Sequence, residues 1–181
     1  MRHAAVAGPA GTIWPLNAPA DLGTHRSFDL VRAQLPKDAK AYASPARRAV
    51  DTARALQLDP VLMADLAEQD FGDWTGRTHE DLAATGGEAY GRFWRDPARS
   101  RPPGGESFEE QIGRVRHGLD KIETELAILI AHSGTIRAAL AIALELAPET
   151  ALRFVADPLS LTRIDRLQNG WRVVSVNQTF G

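Results

Sequence analysis

Apolar and polar residues alternate along the chain with two spacings, one typical of amphipathic helices and one typical of buried strands. Apolar residues that recur every three or four positions predict helices over residues 21–35, 46–56, 79–95, 108–125 and 135–146. Short apolar runs predict strands over residues 39–43, 61–63, 127–131, 161–167 and 171–177. Because strands and helices alternate over most of the chain, we expect a parallel α/β sheet. A Gln-Asn-Gly turn signal at residues 168–170 predicts that the last two strands form an antiparallel hairpin at its edge.

Residues that favour helix ends support this assignment. Asp21 could cap the first helix, and Ser107 followed by Glu110 has the pattern of a capping box for the helix over 108–125. Two glycines, at positions 86 and 87, interrupt the helix over 79–95. The strand over 127–131 is apolar at every position, which predicts burial on both faces.

Composition narrows the class of protein. The chain has 181 residues, 44% of them hydrophobic and 24% charged, as is ordinary for one globular domain. A net charge of −2 argues against nucleic acid held by bulk charge, and the longest apolar run, residues 126–131, is too short for a membrane span. The lack of cysteine excludes disulfides and thiol nucleophiles, and residues 1–20 have no secretory signal pattern. We therefore expect a single domain over 1–181 in the cytoplasm, with neither nucleic acid nor a membrane as its partner.

Candidate chemistry lies at the ends of two predicted strands. Residues 44–48 (SPARR) and 132–134 (HSG) each follow a strand and precede a helix. Ligands of open α/β sheets bind outside the carboxyl ends of the strands, so both segments can meet at one site. Arginines bind phosphate oxygens in pairs of hydrogen bonds, a histidine nitrogen can attack phosphorus, and a carboxylic acid can protonate the leaving oxygen. A site with two arginines, two histidines and one carboxylate would suit phosphoryl transfer.

Four segments carry a family resemblance. They are residues 2–4 (RHA), 44–53 (SPARRAVDTA), 66–76 (LAEQDFGDWTG) and 131–137 (AHSGTIR). In this order they resemble the Arg-His-Gly/Ala, S-P-x-x-R-A-x-x-T-A, L-x-E-x-x-F-G-x-W-x-G and A/S-H-G/S-G-x-I-R blocks of the histidine phosphatase superfamily, which has the phosphoglycerate mutase-like fold. Four blocks in order are far more specific than any one of them.

The resemblance implies a fold and a set of roles. The fold would be a three-layer α/β/α sandwich with a mostly parallel central sheet and an antiparallel C-terminal edge. His3 would be the nucleophile that becomes phosphohistidine, and Arg2 and Arg48 would bind the phosphoryl oxygens. His132 would stabilise charge in the transition state, and Glu68 would be the general acid and then the base. Trp74, Glu106 and Ser133 are candidates for the substrate pocket.

The resemblance also implies a reaction class. It implies no metal and no cofactor, because the arginines and His132 supply the positive charge. The loop over 102–107 (PPGGES) and the stretch over 2–11 look like those of small phosphatases, including α-ribazole phosphatase-like proteins of cobalamin synthesis. We therefore expect a phosphomonoesterase that acts on a small phosphorylated metabolite, with α-ribazole 5′-phosphate as the leading candidate. The alternatives are a phosphoglycerate mutase and an inactive relative that serves as a binding module. The sequence leaves the oligomeric state undecided, and a homodimer is one possibility.

Two departures from the family pattern change what we expect of the site. Most relatives have an apolar strand before the Arg-His pair, and here that strand is absent or nearly so, because Met1 directly precedes Arg2. If so, neighbouring strands would expose unpaired backbone groups, and His3 would lie on a frayed terminus. The usual D-x-P-L segment is present only as residues 17–20 (NAPA), which weakens the expectation of substrate contacts there.

Overall fold

Helices and strands alternate as the sequence pattern predicts. The structure, a computed structural model, describes residues 1–23 and 25–180, without the side chains of residues 25 and 26. Its strands are β1 (Lys40–Ala43), β2 (Val61–Leu62), β3 (Ala127–Ile130), β4 (Leu161–Leu167) and β5 (Gly170–Gln178). Its helices are α1 (His25–Arg32), α2 (Arg47–Ala55), α3 (His79–Thr85), α4 (Gly87–Arg95), α5 (Phe108–Asp120), α6 (Ser133–Leu144) and α7 (Pro148–Ala151). Short 3-10 turns lie at Ala64–Leu66 and Gly72–Trp74.

Two groups of strands make up the sheet structure. Strands β2, β1 and β3 lie side by side in that order and are parallel, with Ala43 opposite Ile130 in the register. Strands β4 and β5 form the antiparallel hairpin that the turn at residues 168–170 predicts. The predicted fold class is confirmed: a parallel sheet with an antiparallel C-terminal pair.

The first three residues pair with backbone on both sides. The Ala131 N–H donates to the carbonyl of Met1 at 3.0 Å, and the His3 N–H donates to the carbonyl of Ala131 at 2.9 Å. On the other side, the Arg2 N–H donates to the carbonyl of Ser160 at 3.2 Å. Residues 1–3 thus lie between the end of β3 and the segment that leads into β4. The expectation that this neighbour strand exposes unpaired groups, and that His3 is frayed, was wrong, since three residues suffice to pair there.

Side chains of the parallel sheet alternate between its two faces, and helices pack on both faces. Ala43 and Ile130 face α1 and α2, and a core forms there with Phe28, Val31, Ala49, Ala53, Leu56 and Ile128. Tyr42 and Leu129 face the other way and pack with Leu66 and Ile122, next to α5. Helix α5 packs in turn on α6 through Phe108, Val115, Ala138, Ala141 and Ile142. The arrangement has three layers, α/β/α.

Helix ends follow the sequence signals in most places. The capping box is present, because the Ser107 hydroxyl accepts from the Glu110 N–H and the Glu110 carboxylate accepts from the Ser107 N–H. The glycines at 86 and 87 divide the predicted helix into α3 and α4. Asp21 is not the cap of α1, because that helix begins at His25 and the Asp21 carboxylate instead accepts from the Gly23 N–H at 3.0 Å. Across residues 1–23 and 25–180, every helix is too short or too polar to cross a lipid bilayer.

Candidate active site

The carboxyl ends of neighbouring parallel segments meet at one edge of the sheet. Residues 2–3, 44–48 and 132–134 all follow or end segments that run in the same direction. A cavity of about 1040 Å³ opens at this edge, and its wall includes Arg2, His3, Arg48 and Glu68. The position is the one where open α/β sheets bind ligands.

His3 is a buried, neutral imidazole whose two ring nitrogens both take part in hydrogen bonds. Its side chain is 5% exposed, and its Nδ1 donates to the carbonyl of Ala4 at 2.5 Å. Its Nε2 accepts from the Nε–H of Arg48 at 3.3 Å. Burial lowers the pKa of His3 to about 3, and the neighbouring His132 acts in the same direction. The lone pair that can attack an electrophile therefore lies on Nε2 at neutral pH.

His132 lies against His3 but not on the cavity wall. It is fully buried, and its ring is 4.9 Å from the His3 ring between centroids, edge to face. Its Nε2 is 2.7 Å from the hydroxyl oxygen of Ser44, and its Nδ1 is buried without a hydrogen-bond partner among the described residues. Burial, and then the charges of Arg48 and Arg2, hold the pKa of His132 well below its ordinary value. His132 is therefore a neutral residue with one unused nitrogen beside His3.

Two guanidinium groups provide the positive charge. Arg48 is 5% exposed and donates from Nη1 to the carbonyl of Pro15 at 3.0 Å. Arg2 donates from Nη1 to the carbonyl of Ala156 at 2.6 Å, while its Nε is buried without a partner among the described residues. Burial lowers the pKa of Arg2 and Arg48, and the charge of Glu68 opposes that effect at both. Guanidinium stays charged in proteins, so an anion is the ligand that suits this site.

Glu68 faces the same cavity from the loop after the first 3-10 turn. Its Oε1 accepts from the Gln69 N–H at 3.1 Å and from Gln111 Nε2 at 3.3 Å. Its Oε2 accepts from the Ser133 hydroxyl and from the Gly134 N–H, both at 3.3 Å, at the start of α6. Four donors thus fix the orientation of the carboxylate. Ser133 lies on the cavity wall, as predicted for a pocket residue, and contacts Glu68.

A second set of side chains holds the Glu68 segment, and sequence reasoning missed two of them. Arg114 donates to the carbonyls of Asp65 at 2.9 Å and Glu68 at 3.3 Å, and forms an ion pair with Glu106. Glu106, a predicted pocket residue, lies on the cavity wall and fixes Arg114. Gln111 is fully buried although it is polar. Its place on the apolar stripe of α5 is the signal that could have singled it out.

Trp74, a predicted pocket residue, does not line the cavity. It is 4% exposed and packs with Ile13, Leu82 and Phe93, and its ring centroid lies 5.3 Å from that of Phe93. The indole is buried in this core, behind Ile13 and Phe93, which do line the cavity. Other aromatic residues line the cavity instead: Trp14, Phe71, His79, Phe93 and Trp94.

The donors at this site suit a phosphoryl group. Among the residues that the structure describes, no three His, Asp or Glu side chains converge in a way that could hold a metal ion. The groups that do converge are two guanidiniums, two neutral imidazoles and a carboxylate, which together match an anion that carries a transferable group.

Comparison with known proteins identifies the family. The model of the histidine phosphatase superfamily (branch 1) matches residues 21–179. The chain belongs to the histidine phosphatase superfamily. The matched region contains Arg48, Glu68 and His132 but not Arg2 and His3, which the geometry places beside them. The resemblance found in the sequence is thus confirmed at the level of the family.

The chain resembles one longer mycobacterial protein in sequence and two phosphatases of known structure in fold. A protein of Mycobacterium tuberculosis described as bifunctional is 37% identical over 150 residues, which are 78% of this chain and 41% of that protein. This chain therefore spans about two fifths of the length of that relative. The α-ribazole phosphatase of Shigella flexneri superposes with a TM-score of 0.85 at 23% identity, over 98% of this chain and 94% of that one. A mycobacterial glucosyl-3-phosphoglycerate phosphatase superposes with a TM-score of 0.80 at 25% identity, over 98% and 96%.

Proposed function

We propose that this chain hydrolyses phosphomonoesters through a phosphohistidine formed on His3. The proposal rests on two residues that adjoin the neutral His3, Arg2 in sequence and His132 by its ring, since each has a buried side-chain nitrogen, Arg2 Nε and His132 Nδ1, with no partner among the described residues. A buried donor without an acceptor costs about 1–3 kcal/mol. Phosphoryl oxygens supply the missing acceptors when substrate binds, and the arginine charges favour the dianion.

The reaction has two steps that share the same groups. In the first, His3 Nε2 attacks phosphorus in line, the bond from phosphorus to the ester oxygen breaks, and Glu68 in its acid form gives its proton to that oxygen. In the second, the Glu68 carboxylate takes a proton from water, which attacks phosphorus and breaks the bond to Nε2. Inorganic phosphate leaves, and His3 and protonated Glu68 are restored.

Charge stabilisation comes from side chains in this proposal. Arg2 and Arg48 bind the equatorial oxygens on which negative charge spreads, and His132 donates to the same group. These donors are in place before substrate arrives, since each is held by burial or by a backbone carbonyl. We therefore expect turnover to persist in the presence of EDTA.

The aromatic lining of the cavity supports a substrate with a planar organic part. The volume of about 1040 Å³ far exceeds a phosphate group, and the aromatic wall includes Trp94, whose side chain is half exposed. Aromatic side chains bind flat, weakly polar groups by stacking and edge contacts. We place α-ribazole 5′-phosphate first on this ground, and with it a role in cobalamin synthesis in the cytoplasm. The Shigella protein with a similar fold is an α-ribazole phosphatase. The mycobacterial one is a glucosyl-3-phosphoglycerate phosphatase, so glucosyl-3-phosphoglycerate is the second substrate to test.

The test is phosphate release from p-nitrophenyl phosphate in EDTA, by the wild type and by His3→Ala. Turnover in the wild type that is lost in the variant supports the proposal, whereas equal turnover in both refutes it. A panel of α-ribazole 5′-phosphate, glucosyl-3-phosphoglycerate and 3-phosphoglycerate with a bisphosphoglycerate primer then identifies the substrate by kcat/KM. Isomerisation of 3-phosphoglycerate without phosphate release would instead identify a mutase. Ligand binding without any turnover would identify a binding module.

A further inference from the structure

Ser44 is a buried hydroxyl that contacts the second histidine. It follows β1 directly and is fully buried. Its Oγ accepts from the Ala46 N–H at 3.2 Å and lies 2.7 Å from His132 Nε2. Among the described residues, the Ser44 side chain has these two partners. Either Ser44 or His132 can donate in the bond between them, and the direction depends on which groups each choice leaves without a partner.

The number of groups left without a partner decides the direction of the hydrogen bond between Ser44 and His132. If His132 Nε2 carried the proton, it would donate to Ser44 Oγ, and both the Ser44 O–H and the lone pair on Nδ1 would be left buried without partners. If Nδ1 carries the proton, the Ser44 O–H donates to Nε2, and the Nδ1–H alone lacks a partner. The second arrangement leaves one group fewer unsatisfied. Each such group costs about 1–3 kcal/mol, which is enough to select one tautomer.

We propose that Ser44 is a positioning residue that holds His132 in the Nδ1–H tautomer, so that its one unused proton is available to the phosphoryl group on His3. The inference rests on the proposed function, because it names the acceptor of that proton as a phosphoryl oxygen. His132 reaches this group as a neutral donor. Had the proton been on Nε2, the Nδ1 lone pair would meet a phosphoryl oxygen and repel it.

The choice of tautomer matters because His132 has only one proton to give. Burial, together with Arg48 and Arg2, keeps the ring neutral near pH 7, since these effects hold the pKa of His132 well below its ordinary value. A doubly protonated ring would donate from either nitrogen whatever its neighbour did. In this site the hydroxyl of Ser44 decides which nitrogen is the donor.

The most direct test is independent of turnover. Two-bond proton–nitrogen NMR correlation on the ligand-free enzyme near neutral pH shows which ring nitrogen of His132 is protonated. We expect the proton on Nδ1 in the wild type and a mixture of both tautomers in Ser44→Ala. The matched control is Ser160→Ala, since Ser160 is also fully buried but its hydroxyl has no partner among the described residues. A wild-type proton on Nε2, or an unchanged spectrum in Ser44→Ala, would overturn the inference even if the enzyme is an active phosphatase.

Kinetics provide the second readout once turnover has been shown. Ser44→Ala should lower kcat about 10- to 100-fold and change KM much less, because the hydrogen bond from His132 strengthens as negative charge builds on the phosphoryl oxygens in the transition state. His132→Asn keeps an amide nitrogen near the position of Nδ1, and His132→Gln keeps one near Nε2. We expect the Asn variant to retain more activity, and Ser44→Ala to have little further effect in its background. Higher activity in the Gln variant, or full additivity, would contradict the inference.

Discussion

The carboxylate of Glu68 occupies the space that a side chain at position 134 would need. A Cβ on Gly134 would lie 2.2 Å from Glu68 Oε1 and 2.8 Å from Gln111 Oε1. Both distances are well inside van der Waals contact. The glycine at the start of α6 is thus what allows the helix N-terminus to approach and donate to the acid at 3.3 Å. A small residue in the family motif has a direct geometric reason in this chain.

Replacing that glycine should displace the acid. We expect Gly134→Ala to lower kcat/KM by about 100-fold, of the order found when one catalytic contact is misplaced. Helix α5 offers a matched control, because a Cβ on Gly113 meets nothing within 4 Å. Gly113→Ala should leave kcat/KM unchanged and stabilise the fold by about 0.5–1 kcal/mol, since alanine favours a helix. Equal activity of the two variants would show that Glu68 is not fixed by this contact.

Glu68 as the general acid predicts a dependence on the leaving group. In Glu68→Gln the amide keeps the shape of the side chain but cannot give up a proton to an alkoxide. Hydrolysis of an alkyl phosphate should therefore fall by about 100-fold or more, and that of p-nitrophenyl phosphate by much less, because a good leaving group needs little protonation. The measurement is kcat on both esters in wild type and variant. A uniform loss on both would count against this role.

Gln111 predicts opposite effects on stability and on activity. Its Oε1 is buried without a partner among the described residues, while its Nε2 donates to Glu68 at 3.3 Å. Gln111→Leu removes an unsatisfied oxygen, which costs about 1–3 kcal/mol, along with two long hydrogen bonds, to Glu68 and to the carbonyl of Ala67, both at 3.3 Å. We expect an equal or higher melting temperature and a several-fold lower kcat. A large loss of stability would mean that the amide mainly supports the fold.

The neutral His3 ring makes the fold sensitive to acid. The pKa of His3 is about 3 in the folded chain and has its ordinary value of 6.5 in the unfolded chain. Between these two pH values the unfolded chain binds a proton at His3 and the folded chain does not. Stability contributed at neutral pH is therefore lost as pH falls through 6.5, with a slope of at most about 1.4 kcal/mol per unit. In His3→Gln this contribution is removed. The free energy of unfolding of the variant relative to that of the wild type should therefore rise by about 1.4 kcal/mol from about pH 7.5 to about pH 5.5. If urea denaturation gives the same difference between variant and wild type at both pH values, the ring is not buried in its neutral form.

The sequence predicts the elements well and the long-range contacts less well. Periodicity places β1 and β3 in a parallel sheet, and that alone brings Ser44 and His132 to one edge. Trp74 lies in a loop, where no periodicity says which way a side chain points, and the structure buries it. Gln111 and Arg114 act on a segment more than 40 residues away in sequence, so local pattern cannot assign their partners.

The N-terminus shows a different limit of sequence reasoning. A missing apolar run reads as a missing strand, because strand prediction needs several residues of pattern. Pairing needs far fewer: residues 1–3 make backbone hydrogen bonds to Ala131 on one side and Ser160 on the other. His3 is consequently held by the sheet, although nothing in its local sequence predicts a strand.

Rapid-quench trapping of the phosphoenzyme shows whether His3 carries the phosphoryl group during turnover. Wild type is mixed with substrate labelled in the phosphoryl group, stopped in base within milliseconds, and digested for peptide mapping. We expect label in the peptide that contains His3, stable in base and lost in acid as for a nitrogen–phosphorus bond, and none in His3→Ala. Label on any other residue, or full turnover by an enzyme that never acquires label, would contradict it.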